Sequence, residues 1–141
     1  MLFADRAAIY VRQSSEEPAT SQAERLDAYA RGQGYQIADQ HYYRESRAEG
    51  TPAFASDVFY AMMKAAARGE FAAIFVTTAS RITRDSAELE TIKSELERVK
   101  VALITVDDGV TVVVREGRTA TEGATGYIQR FILPRFARRK G

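Results

Sequence analysis

The chain has 141 residues, 45% of them apolar and 28% charged, with a formal net charge of +1, the size and balance of one globular domain with its own core. It contains no cysteine and one histidine, His41, which excludes disulfides, thiolate metal sites and a His-rich centre. No run reaches the length of a membrane span and the amino terminus lacks a secretory pattern, so no membrane association and a cytoplasmic location are expected.

In chain order, "AAIYVR" (7–12) is a short apolar run suited to a buried strand. "SQAERLDAYARGQGY" (21–35) reads as a helix, with Ser21 and Glu24 at capping-box spacing, Leu26, Tyr29 and Ala30 on one face, and Gly32 and Gly34 as the stop. "QIADQHYY" (36–43) reads as a second strand, decorated by His41, with one of Tyr42 and Tyr43 facing the core and the other facing water. "RESRAEGTPAFA" (44–55) has turn formers and no period, so a loop is expected. "SDVFYAMMKAAARGEF" (56–71) carries a helical stripe of Val58, Phe59, Met62, Met63 and Ala66.

"AAIFVTT" (72–78) is the clearest buried strand, and "SRITRD" turns the corner after it. "SAELETIKSELERVK" (86–100) is an amphipathic helix with Leu89, Ile92, Leu96 and Val99 facing inward, and "VALITV" (101–106) is a further strand ended by "DDG". "VTVVVREGRT" suits an edge strand. Thr119 and Glu122 open a last helix that Pro134 should kink or end.

This alternation predicts an α/β fold: a mostly parallel sheet of about four to five strands with helices on both faces. In such sheets sites gather at the carboxyl ends of strands. Arg12 and Ser14 follow the first strand; Ser80, Arg81 and Arg84 follow the third. If those strands are parallel neighbours, arginines and serines from distant segments meet on one rim. Clustered guanidiniums suit an anion such as phosphate, and a serine beside them suits a phosphoryl acceptor, a chemistry that requires no metal or other cofactor. The same arginines also suit strand ends whose charges reach water or pair with Glu16, Glu17 or Asp85. Arg130, Arg135, Arg138, Arg139 and Lys140 form a basic tail that suits a DNA backbone or a solvated end. Asp107-Asp108 reads as a turn before Gly109 sooner than as a metal site.

The stretches "YVRQSSEE", "SQAERLDAYARGQGY", "GEFAAIFVTTASRITRD" and "ITVDDG" together resemble the catalytic domain of serine recombinases, the resolvase/invertase family, over about residues 7–109. The resemblance implies a site-specific DNA recombinase that cuts and rejoins DNA through a covalent 5′-phosphoserine intermediate. It implies DNA as partner, a homodimer, and a tetramer in the synaptic complex. By the same resemblance Ser14 is the nucleophile, with Ser15 the fallback; Arg12, Arg81 and Arg84 bind phosphate; Tyr10, Gln22 and Asp85 support the site.

Two departures stand out. The family carries Asp-Arg where this chain has Ser80-Arg81, and a further arginine where Ser56 is aligned, for which Arg44 or Arg47 could substitute. They raise the alternative of a catalytically impaired, resolvase-like DNA-binding or regulatory protein. Residues 1–118 are expected to form the catalytic domain, and 119–141 a short helix and basic tail with no helix-turn-helix domain.

Overall fold

The computed structural model describes residues 5–13, 17–46, 51–107 and 111–112. Five strands form one sheet in the order β2-β1-β3-β4-β5, where β1 is Ala7–Arg12, β2 Tyr42–Glu45, β3 Ala73–Val76, β4 Ala102–Thr105 and β5 Thr111–Val112. The first four are mutually parallel, and β5 pairs antiparallel with β4. Three helices connect them: α1 (Ala19–Gly32), α2 (Asp57–Ala67) and α3 (Ser86–Arg98).

All six residues of β1 and all four of β3 are buried, as expected of parallel strands covered on both faces. The pleat divides them. Ala8, Tyr10, Ile74 and Val76 pack with Phe59 and Met62 of α2 and Ile92 and Leu96 of α3. Ala7, Ile9, Val11, Ala73 and Phe75 pack on the other face with Ala23, Leu26 and Ala30 of α1. Connectivity explains this division. The chain steps outward from β1 to β2, then reverses across β1 to β3 and onward to β4. Right-handed crossovers in opposite directions put their helices on opposite faces. The reversal falls between β1 and β3, and a crevice at such a switch point is where open α/β sheets place their sites.

Several local expectations are corrected. Helix α1 begins two residues before Ser21 and is capped by Pro18 without a side-chain bond. Ser21 therefore lies inside the first turn, where its hydroxyl donates to Glu17 (2.9 Å). Gly32 ends the helix proper, and Gly34, at φ +96°, supplies the left-handed turn. Tyr29 is exposed at its rim, although its ring meets Phe75 edge-on.

The second strand starts at Tyr42, after a 3-10 turn at Asp39–His41. His41 is not a strand decoration: it is buried, its Nε2 lies 3.1 Å from Glu70, and its ring meets Phe71 edge-on. Tyr42 and Tyr43 do alternate, but neither faces open water. Tyr43 packs against the α2/α3 core and Tyr42 against the α1 core, because helices cover both faces. The edge strand anticipated over 110–119 is described only as β5, and the last helix and basic tail lie outside the described residues.

Candidate phosphate-binding rim

Strands β1 and β3 pair in parallel from Ala7↔Ala73 to Ile9↔Phe75, so their carboxyl ends leave the sheet side by side. Beyond β3 the chain forms a 3-10 turn at Ala79–Arg81 and then enters α3. Arg12, the last residue of β1, is only 7% exposed. Its Nε donates to the Arg81 carbonyl (2.9 Å) and its Nη2 to the Ser80 carbonyl (3.0 Å). Segments almost seventy residues apart are thus joined by one guanidinium. The turn's own amides use other acceptors: Arg81 N–H bonds to Thr78 O, and Ile82 and Thr83 N–H bond to Ala79 O.

Arg81 is half-buried and Arg84 exposed on this turn. The Ser80 hydroxyl lies 2.9 Å from that of Thr78. Asp85 caps α3, its Oδ1 accepting from the amides of Ala87 (2.9 Å) and Glu88 (3.2 Å). These bonds make Asp85 the N-cap of the helix.

Gln22 is fully buried on α1, and its Nε2 donates to the carbonyls of Arg12 (3.0 Å) and Glu17 (2.8 Å). It therefore holds the chain on both sides of Ser14. One turn further along α1, Arg25 reaches Glu17 (2.8 Å) and Asp107 (2.8 Å). That guanidinium lowers both carboxyls below their ordinary range, and the two carboxylates raise Arg25 in return. Asp107 is thus an ion-pair partner on the turn after β4, and among the described residues no three acids or histidines gather into a metal-binding group.

A further acid enters the rim from β2. Glu45 pairs in register with Arg12, and its carboxylate accepts from the hydroxyls of Tyr10 and Ser56. Ser56 also accepts from the Phe59 amide as the N-cap of α2 (3.0 Å). Ser56 is therefore a structural cap tied to an acid. Arg44 shares the parity of Tyr42 and so stands on the α1 face of the sheet, opposite to the face of Tyr10 and Arg12.

Sequence reasoning missed Glu45 and Arg25. Glu45 was hidden because the second strand was placed several residues early, which left it in a loop. Arg25 gave no signal, since its partners Glu17 and Asp107 lie 8 and 82 residues away. Ser14, Ser15, Arg47, Asp108 and the basic tail from Arg130 to Lys140 lie outside the described residues. Of the remaining site residues, the structure joins Arg12 to the backbone at Ser80 and Arg81, Gln22 to Arg12, and Tyr10 to Glu45.

Comparison with known proteins agrees with this geometry. The family model for the resolvase N-terminal domain matches residues 7–136, and the chain belongs to that family. Among solved structures, it is similar to the N-terminal catalytic domain of TP901-1 integrase (TM-score 0.66, 20% identity, 75% of this chain and 80% of that one). It is likewise similar to the C-terminal catalytic domain of ISC1926 TnpA, an IS607-like serine recombinase (TM-score 0.63, 24% identity, 73% and 70%). A third is a resolvase family site-specific recombinase from Streptococcus pneumoniae (TM-score 0.63, 22% identity, 75% and 74%). At these identities the structures establish the shared fold. No curated protein matches the chain. No helix among the described residues is long and apolar enough to cross a membrane.

Proposed function

We propose that this chain is a serine-type DNA recombinase domain in which Ser14 attacks a DNA phosphodiester beside Arg81 and Arg84. The observation that carries the reading is the Arg12 bridge, which brings the carboxyl ends of β1 and β3 to one rim. In the step proposed, the Ser14 oxygen bonds to phosphorus, the bond from phosphorus to the 3′ oxygen breaks, and the serine proton ends on that leaving oxygen. One phosphodiester replaces another, so the exchange is atom-balanced and reversible. Charge building on the non-bridging oxygens is what the guanidiniums stabilise. The basic residues Arg130, Arg135, Arg138, Arg139 and Lys140, which lie outside the described residues, would add contacts to the DNA backbone, and such contacts position a protein without reading bases. The active assembly is a dimer that pairs into a synaptic tetramer.

The test is a suicide substrate, a nicked duplex that loses its 3′ leaving strand once cut. Wild-type protein should accumulate a covalent protein–DNA product, and Ser14→Ala should form none. Undiminished product from Ser14→Ala would contradict the choice of nucleophile.

A second reading is favoured by the two departures. Ser80 and Ser56 stand where the family has charged residues, and both hydroxyls are engaged internally. The chain would then be a DNA-binding or regulatory relative with little cleavage. Because Ser56 caps α2, replacing it with arginine confounds folding with chemistry; Ser80→Asp alone is the cleaner probe. Adduct formed only after Ser80→Asp would favour this second reading.

A further inference from the structure

We infer that Arg12 is a positioning residue: it shapes the turn after β3, and Arg81 and Arg84 hold an anion only when that turn is so shaped. The inference rests on the proposed function for what the anion is, but not for the local claim. The carbonyl of Ser80 and the carbonyl of Arg81 belong to the two peptide units on either side of the Arg81 Cα. Gripping both, at 3.0 and 2.9 Å, sets the plane of each and with them the direction in which the Arg81 side chain leaves the backbone. The next two residues, Ile82 and Thr83, are buried, and the Thr83 hydroxyl accepts from the Asp85 amide (3.1 Å). The aim of Arg84 therefore follows from the same turn.

The geometry of the guanidinium supports this reading over direct phosphate binding. Nε together with Nη2 is one of the planar edges through which arginine grips an oxyanion bidentately. In this chain that edge lies on two neutral carbonyls, and the side chain is only 7% exposed. Lysine would keep the charge but has no planar edge to span two acceptors.

The experiment compares Arg12→Lys and Arg12→Gln with the double variant Arg81→Ala/Arg84→Ala, and with Arg12→Gln added to that double variant. Two quantities are read: amide exchange over residues 79–84 in the DNA-free protein, and affinity for a duplex as a function of salt. Arg12→Lys should accelerate exchange of the 81–83 amides about tenfold despite its retained charge. It should also flatten the salt dependence by two phosphate contacts, a slope change of about 1.8. Added to the double alanine variant, Arg12→Gln should lower DNA affinity no further. An additional tenfold loss in that background would identify Arg12 as a phosphate ligand in its own right and overturn the inference. So would wild-type exchange rates in Arg12→Lys. If the wild-type chain binds no duplex at all, the proposed function fails while the exchange comparison still decides the role of Arg12. If Arg12→Gln does not fold, Arg12→Lys carries both readouts.

Discussion

Arg12 and Arg25 both tie the carboxyl rim together across long stretches of chain, and they do so at different depths. Arg12 is buried and grips two neutral carbonyls. Arg25 is about two-fifths exposed and its partners are the carboxylates of Glu17 and Asp107. Opposite charge makes the second tie look the stronger, but water and salt screen it, and exposed pairs contribute roughly 0.2–1 kcal/mol each. The buried tie has a different energetic character. Removing its donor takes that partner from two part-buried carbonyls, and an acceptor left unsatisfied in the interior costs about 1–3 kcal/mol. Depth, more than charge, should therefore decide which arginine the rim depends on.

The sharpest way to break that comparison is Gln22→Leu. The side chain is fully buried and no charge is lost, yet the carbonyls of Arg12 and Glu17 both lose the Gln22 amide as a donor. We expect a loss of about 2 kcal/mol in unfolding by urea. A loss no larger than that of an exposed ion pair would mean that depth is not the governing variable. Asp85→Ala tests an intermediate case, a charged group capping backbone amides at the surface. It should lower stability by about 1 kcal/mol.

Arg25→Ala should have the smallest effect at neutral pH, at most about 1 kcal/mol after screening, and its effect should depend on pH with a defined sign. Glu17 and Asp107 are held below their ordinary values by Arg25. Their contribution is therefore fully present above the ordinary carboxylate range and fades as acid takes the pH down through their lowered values. In 0.5 M salt (roughly a 4 Å screening length) the difference between wild type and Arg25→Ala should shrink. Persistence of the full difference at high salt and at low pH would show that Arg25 acts by packing its stem instead of its charge.

Legibility in the sequence followed the range over which each cause acts. The buried runs at 7–12 and 73–76 and the stripes of α2 and α3 were readable because their signal is local periodicity. From them came the alternating fold; that β1 and β3 are neighbours entered only as a condition, which the sheet order meets. What misled was also local: Ser21 and Glu24 have capping-box spacing, but Pro18 opens the helix earlier. Strand β2 was misplaced because Ile37 and Ala38 were read as one run with the aromatic pair Tyr42-Tyr43, while the backbone between them turns through a 3-10 segment at Asp39–His41. Glu45 and Ser56 could not be paired in advance, since β2 register sets their meeting. The Arg12 bridge to Ser80 and Arg81 was foreseeable only as proximity. That its donors land on carbonyls depends on which acceptors the turn leaves over, and no residue pattern encodes that.

The most direct test of the central claim is a crystal of the free chain grown in high sulfate. One sulfate should lie between the Arg81 and Arg84 guanidiniums, within hydrogen-bond reach of the Ser14 hydroxyl. Arg81 and Arg84 pointing apart, with the Ser14 hydroxyl packed into the interior and no anion near either, would contradict it.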